Sequence, residues 1–107
     1  MENPMPDESP ILMFNALWFK PDGGAEKYRE YMAAASPIMV RHGGKKRTGG
    51  IPNKAIIGDF DADLIFFIEW PSQAAFQAFI ADPEFESARD IREAAIRDSL
   101  LIRCNPA

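Results

Sequence analysis

The sequence contains little of the chemistry on which metal and redox sites depend. Its 107 residues include one cysteine, Cys104, and one histidine, His42. A single cysteine cannot close a disulfide within the chain, so the cysteine content does not indicate secretion. One histidine and one cysteine are also too few to build a zinc site in one chain. The sequence therefore predicts no metal site and no bound cofactor.

Long apolar stretches and a surplus of basic residues are absent as well. No apolar run approaches the ~20 residues that span a membrane, and the polar N-terminus is unlike a signal peptide. Twelve basic residues against sixteen acidic ones leave a formal net charge of −4, whereas a nucleic-acid partner requires a basic surface. We expect a cytoplasmic protein with no membrane and no nucleic-acid partner.

The chain does contain enough apolar residues, 47% of the total, to form one domain with its own core. Residues 1–10 hold three prolines and three acids without apolar periodicity, which predicts a disordered N-terminal tail. Residues 11–107 are expected to form the single domain.

Apolar periodicity divides this domain into alternating strands and helices. It predicts strands over 11–19, 45–58 (an interrupted edge strand with a bulge), 64–70 and 99–104. It predicts helices over 25–42, 72–81 and 82–98, the last two beginning at the caps Ser72 and Asp82. The order β-α-β-β-α-β, with the second helical region split in two, predicts an α+β ferredoxin-like sandwich with an antiparallel sheet.

The first and third predicted strands are apolar on both faces, whereas the helices of this fold cover only one face of the sheet. The other face would then expose a contiguous apolar patch, which soluble monomers avoid. The sheet of a second copy is the simplest cover, so the sequence predicts a homodimer.

A series of short motifs follows the predicted elements: Tyr31, Pro37, His42-Gly43-Gly44, Gly58-Asp59, Ile68-Glu69-Trp70, Ala81-Asp82-Pro83-Glu84-Phe85 and Ile91-Arg92. In this order and spacing they resemble the domain-of-unknown-function family 1330 of the dimeric α/β-barrel superfamily, over about residues 11–104. The resemblance implies two ferredoxin-like subunits that pack their sheets into a shared barrel. It implies no substrate, because related families range from cofactor-free monooxygenases and lactone isomerases to haem enzymes.

Arg92 is the most informative polar residue, because the third predicted helix places it in the middle of its apolar arc. A guanidinium there needs an anion or several acceptors, since a buried unpaired charge costs several kcal/mol. Two interpretations stay open. Arg92 either forms an internal bridge to Glu69 or Asp59, or binds the anionic group of a ligand, with Arg89 at the edge of the same arc as its companion.

His42 lies on the apolar arc of its helix near the C-terminal end, where a titratable imidazole suits proton transfer. It stands where the family usually has a tyrosine, and simple packing against its neighbours is the alternative. Asn15 and Glu69 interrupt apolar strands, so each is either paired internally or lines a cavity.

If these polar residues converge with Arg92, they frame a pocket walled by three aromatic side chains: Trp18, Phe67 and Trp70. Tyr28 and Tyr31 are interpreted as core residues. The candidate site therefore consists of His42 as the catalytic acid–base and of four substrate-binding residues: Arg92, Asn15, Glu69 and Trp18.

The sequence supports two functions from different classes and leaves open whether the chain is an enzyme. The first is a small dimeric α/β barrel that binds a small organic acid or aromatic molecule between sheet and helices, as a cofactor-independent enzyme or binding protein. The alternative is a non-catalytic homo-oligomeric assembly or regulatory module with a purely structural polar interior. An open cavity reached by His42 and Arg92 would favour the first function, and a filled core the second.

Overall fold

A computed structural model of the chain describes residues 9–107. Most of the predicted N-terminal tail, residues 1–8, lies outside the described residues. The elements are β1 (Ile11–Phe19), α1 (Gly24–Arg41), β2 (Lys45–Gly50), β3 (Leu64–Trp70), α2 (Gln73–Ala81), α3 (Phe85–Ala95) and β4 (Ile96–Cys104). The predicted α+β order, including the split second helical region, is confirmed.

The four strands form one sheet in the order β2-β3-β1-β4, and every neighbouring pair is antiparallel. β1 pairs with β3 from Ile11 opposite Trp70 to Leu17 opposite Leu64. This order is the ferredoxin-like one, in which each helical connection crosses over a strand that lies between the two strands it joins.

The hydrophobic core lies between one face of the sheet and the helices. Alternate residues of each strand point to the same side. The residues of β1 and β3 that face the helices are Ile11, Met13, Leu17, Phe66, Ile68 and Trp70. They pack against buried side chains of α1 and α3, which include Tyr28, Tyr31, Ile38, Phe85 and Ala88.

The remaining strand residues form the opposite side of the sheet, which we call the open face. It comprises Leu12, Phe14, Ala16, Trp18, Ile65, Phe67, Glu69, Leu100 and Ile102. The Phe14 and Phe67 rings contact each other across the β1–β3 pair, with centroids 5.4 Å apart. No helix of the described chain crosses this apolar surface, so only the first of the two apolar faces is covered within one chain.

The end of α1 is set by a glycine pair, Gly43 and Gly44. Gly43 has a positive φ of 85°, a conformation that glycine adopts without steric cost. The amide of Gly44 donates to the Met39 carbonyl oxygen, 2.9 Å away. A Cβ on Gly44 would lie 2.6 Å from Met39 Cγ and 2.8 Å from Trp70 Cη2, so this residue brings β2 close to the core.

Two boundaries differ from the predictions. β2 lies at an edge with a register shift between Lys46 and Gly49, as predicted, but it ends at Gly50, and residues 51–63 form no helix or strand. α3 ends at Ala95 rather than near residue 98, because Ile96 already pairs with Phe19 and the Ala95 carbonyl accepts from Lys20 N. Pairing with β1 therefore overrides the helical periodicity of the last residues.

None of the helices within residues 9–107 is long and apolar enough to cross a membrane.

Candidate functional site

A cavity of about 330 Å³ lies between the helix-covered face of the sheet and the three helices. Most of its wall is aromatic or methionine side chain from every layer of the fold. Besides the Tyr28 and Tyr31 hydroxyls of α1, the polar groups in the wall are few and come from β1, α3 and β4: Asn15, Arg89, Arg92, Glu93 and Ser99. An apolar cavity with a few convergent polar groups is the usual form of a small-molecule site.

Arg92 reaches this wall from the last turn of α3 and is partly buried. Among residues 9–107 it has no hydrogen bond and no ion pair. The internal bridge that the sequence left open is not formed, because Glu69 pairs with Arg47 at 2.9 Å instead and Asp59 forms no ion pair within the described chain. Within residues 9–107, Arg92 is therefore a cation in a largely apolar wall that forms no ion pair, although Glu93 belongs to the same wall.

Tyr28 and Tyr31 stand one turn apart on α1, with ring centroids 5.4 Å apart and both side chains buried. Burial raises the pKa of both hydroxyls above the ordinary 10.0, while the nearby positive charge of Arg92 acts in the opposite direction on each. Neither hydroxyl has a hydrogen-bond partner among residues 9–107. Both tyrosines therefore stay neutral and offer free O–H donors beside the Arg92 guanidinium.

Arg89 is the second cation of the wall, one turn before Arg92. Its guanidinium donates from Nη2 to the Ile80 carbonyl oxygen at 2.7 Å, and it lies over the Phe85 ring at 5.1 Å from the centroid. These contacts tie α3 to the last turn of α2. Arg89 thus closes one side of the cavity, whereas Arg92 keeps all of its donors available.

Asn15 enters the cavity from the centre of β1, opposite Phe66 of β3 and Leu101 of β4. Its side chain is buried. Its Nδ2 donates to the Met13 carbonyl oxygen at 3.2 Å, which leaves the carboxamide oxygen without a protein partner. Of the predicted site residues, Asn15 and Arg92 are brought into the wall of one cavity.

His42 is not among the residues that line the cavity. Its Nε2 lies 2.8 Å from Asp82 Oδ2, which also accepts from Arg41 Nη2 at 2.7 Å. The hydrogen bonds from His42 and Arg41 hold the pKa of the Asp82 carboxyl well below its usual range. His42 follows the last turn of α1 and joins it to the turn before α3, so its catalytic role stays a prediction that the geometry does not support.

Glu69 and Trp18 lie on the open face, because side chains alternate along a strand and their neighbours Ile68 and Trp70 face the helices. Glu69 accepts from Arg47, and the Trp18 indole donates to Asp61 Oδ1 at 2.9 Å. The predicted convergence of Asn15, His42, Glu69 and Arg92 is thus not observed. Of the three predicted aromatic walls, only Trp70 lines the cavity.

Tyr28 and Tyr31 are core residues, as the sequence predicts, but they also line the cavity, a role that sequence reasoning missed. A usable signal was present in their spacing. Tyr28 and Tyr31 share one helical arc, and Arg92 lies on the apolar arc of another helix. Polar groups on two buried arcs indicate a shared polar site in the interior.

Comparison with known proteins supports the fold over almost the whole chain. The model of the family "Domain of unknown function (DUF1330)" matches residues 23–104. The RPA0582 protein of unknown function from Rhodopseudomonas palustris is 38% identical, with a TM-score of 0.86 over 94% of this chain and 84% of that one. No curated protein matches the chain at a significant level.

More distant structures share the fold at low identity. A dimeric ferredoxin-like protein of unknown function from Jannaschia sp. CCS1 is 16% identical, with a TM-score of 0.75 over 92% of this chain and 100% of that one. SnoaB, a cofactor-independent oxygenase from Streptomyces nogalater, is 15% identical, with a TM-score of 0.63 over 92% and 96% of the two chains. From the match of the family model and the 38% identity to RPA0582, the chain belongs to the DUF1330 family, with a ferredoxin-like fold.

Proposed function

We propose that this protein binds a small organic acid with an apolar, preferably aromatic, body in the cavity between sheet and helices. The observation that carries the proposal is Arg92, a partly buried guanidinium in a cavity wall with no counter-ion in the described chain. A cation held in such a place costs free energy unless an anion neutralises it. A ligand carboxylate is the group that a guanidinium binds with the best geometry.

The other polar groups favour the same ligand class. Tyr28 and Tyr31 keep their protons, since burial raises their pKa, and they offer O–H donors close to Arg92. A carboxylate consists only of acceptors, so it pairs with all three residues at once. An amine or a guanidine would meet the like charge of Arg92. Because the wall also contains Glu93 and the free carboxamide oxygen of Asn15, we expect such a cation to bind more weakly than a carboxylate rather than to be excluded.

The size and the wall of the cavity define the rest of the ligand. A volume of about 330 Å³ is at the lower end of the range of ~300–1,000 Å³ typical of ligand sites. The wall includes Trp70, Phe66, Phe79 and Phe85, of which the last two pack with ring centroids 4.4 Å apart. Such rings pack best against a flat apolar body, so an acid of one or two small rings fits the space.

A cofactor-independent reaction is part of this proposal. The donors of Arg92 and the two tyrosines would stabilise negative charge that develops on a ligand oxygen, which is the main assistance that a site without a cofactor offers. The fold of SnoaB, described as a cofactor-independent oxygenase, is compatible with such a use but identifies no reaction, since a fold does not transfer an activity.

The binding proposal is tested with three related probes: benzoate, benzamide and benzylamine. Isothermal titration and thermal shift should show that benzoate binds the wild type and that the neutral and cationic analogues bind at least tenfold more weakly. Arg92→Met should abolish the preference for benzoate. Arg97→Met is the matched control, because Arg97 is exposed on β4 and does not line the cavity.

A wild type that binds none of a wider panel of small aromatic and aliphatic acids would contradict the proposal. So would equal binding of benzoate by Arg92→Met and wild type. Either result favours the structural alternative, in which the polar interior serves only folding and assembly.

We also propose that two copies associate through their open faces. Phe14, Phe67, Leu100 and Ile102 form a contiguous apolar strip there, and Leu100 and Ile102 are exposed. A soluble protein covers a patch of this kind, and a second sheet is the cover that matches its flat shape. Light scattering after size exclusion should give twice the 12.0 kDa mass of one chain. A stable monomer at micromolar concentration would contradict this assembly.

A further inference from the structure

Residues 51–60, which we call the arm, connect β2 towards β3 and form no helix or strand. Four large apolar side chains of the arm are exposed: Ile51 by 79%, Ile56 by 83%, Ile57 by 95% and Phe60 by 41%. Single exposed apolar residues are ordinary, but exposing four of them within ten residues to water is unfavourable in free energy. The arm therefore has the composition of a segment that is covered in the working protein.

The base of the arm is held in a defined position rather than left as a free loop. The Phe60 ring packs edge-on against Trp18, with centroids 5.7 Å apart, and the Trp18 indole donates to Asp61. Asp63 then donates its amide to the Leu17 carbonyl oxygen at 2.8 Å and accepts from Phe19 N at 2.7 Å. Because Trp18 belongs to the open face, the arm leaves the domain beside that face.

The apolar surface of the arm is continuous with that of the sheet. A groove of about 310 Å³ runs between them, and its wall includes Ile51, Ile57 and Phe60 of the arm together with Ile65 of the open face. From this continuity we infer that the arm docks on a second copy of the chain, clasping the partner subunit at the rim of the sheet-to-sheet contact. The inference rests on the proposed open-face dimer and adds a second contact to it.

The dimensions of the sheet limit the footprint of the sheet-to-sheet contact. Four strands of about seven residues, at ~3.3 Å per residue and ~4.8 Å between strands, give the open face roughly 450 Å² in projection. A standard stable interface buries about 800 Å² on each partner. An arm that docks on the partner would add accessible area beyond the footprint of the two sheets. In a two-fold dimer each copy contributes one arm, so the contact is made twice.

The chemistry of the arm favours a second copy over other partners. Between Ile51 and Gly58 the sequence IPNKAIIG contains one charged residue, Lys54, so the segment lacks the cluster of positive charge that binds nucleic acid or an anionic membrane. Its exposed isoleucines match the apolar side chains of the open face, such as Ile65 and Phe67, beside which it projects.

Sedimentation velocity across a concentration series tests the inference. The double variant Ile56→Ser with Ile57→Ser should raise the dimer dissociation constant at least tenfold. Val40→Ser is the matched control, because Val40 is 70% exposed on α1 and should leave the constant unchanged. Ile102→Asp, placed in the open face, tests the sheet contact separately. Circular dichroism and melting confirm that each variant is folded.

The outcomes separate the arm from the dimer on which it rests. A wild type that is monomeric at every concentration contradicts the open-face dimer and the arm contact together. A dimeric wild type that Ile102→Asp dissociates, while the arm double variant keeps the wild-type constant, contradicts the arm contact alone. A weakened dimer in the arm double variant, together with a wild-type dissociation constant in Val40→Ser, supports the contact between the arm and the partner subunit.

Photo-crosslinking gives an independent readout of what the arm touches. A photoreactive amino acid in place of Ile57 should yield an adduct of twice the chain mass, mapped by mass spectrometry to the partner's sheet rim, whereas the same group in place of Val40 should yield none. Adducts confined to one chain, for example to residues 1–8, or no interchain adduct at all, would overturn the inference.

Discussion

Replacing Arg92 by methionine is the sharpest test of the site, because the two interpretations of this residue predict opposite changes in stability. Methionine keeps most of the aliphatic stem that packs in the cavity wall and removes only the charge. If Arg92 were half of an internal ion pair, the substitution would orphan a buried carboxylate and cost about 3 kcal/mol of unfolding free energy. Among residues 9–107 no carboxylate forms an ion pair with Arg92.

We therefore expect a small gain in the unfolding free energy of Arg92→Met. Arg92 and Arg89 are like charges one turn apart on α3, and such a pair destabilises a helix by about 0.2–0.5 kcal/mol. Removing the partial desolvation of an uncompensated guanidinium adds to this, so the unliganded variant should be more stable by about 0.5–1 kcal/mol. For a domain of this size that corresponds to a rise of about 2–6 °C in Tm.

The assay is urea and thermal unfolding of wild type and Arg92→Met at one fixed protein concentration, since the stability of a dimer depends on concentration. Arg47→Met is the control for a real but exposed pair, because it leaves Glu69 without its partner, and it should cost less than about 1 kcal/mol. A loss of several kcal/mol in Arg92→Met would refute the reasoning. It would mean that the guanidinium neutralises a buried anion of the protein itself.

The remaining predictions concern the tyrosine pair, the Asp82 cluster and the end of α1. Tyr28 and Tyr31 are the only tyrosines in the chain. Their raised pKa contributes stability to the fold below pH 10, and this stability is lost as the pH rises further. Tyrosinate absorbance should therefore appear only together with alkaline unfolding, and a reversible titration near pH 10 with intact circular dichroism would contradict this. Asp82→Asn should lower Tm at pH 7. The lowered pKa of Asp82 contributes stability at pH values above the ordinary carboxyl pKa of 3.8, and this stability is lost as the pH falls below 3.8. The difference in Tm from wild type should therefore narrow in acid, and the exposed control Asp90→Asn should show neither effect. Gly44→Ala should lower the free energy of unfolding by about 1–3 kcal/mol through overpacking against Met39 and Trp70. Gly50→Ala is the control and should be nearly neutral, because a Cβ there meets nothing within 4 Å. Equal stability of the two variants would show that β2 shifts to make room.

Part of the site could be predicted from the sequence because it depends on local periodicity. The helical wheel of α3 places Arg92 among apolar residues, and the alternation along β1 places Asn15 on a buried strand; the structure brings both into one cavity wall. Glu69 and Trp18 satisfied the same kind of pattern but lie on the open face. In a strand that is apolar on both sides, alternation separates two faces without indicating which of them the helices cover.

His42 illustrates a second limit of sequence reasoning. Its position near the end of a helix is visible in the sequence, but its partner Asp82 is forty residues away, and their 2.8 Å contact depends on how α1 packs beside the α2–α3 turn. The ends of β2 and α3 failed for a related reason, since strand pairing with β3 and β1, rather than local propensity, decides where those elements stop.

Local patterns in the sequence are enough to predict the order of the elements, the ferredoxin-like topology and the two apolar sheet faces, because each follows from periodicity and backbone preference over a few residues. The packing of distant segments decides which face the helices cover and that Glu69 pairs with Arg47. It also decides that, within residues 9–107, Arg92 forms no ion pair and the Tyr28 and Tyr31 hydroxyls have no hydrogen-bond partner. These outcomes depend on pairings between residues far apart in the chain, which packing selects and which no local pattern encodes.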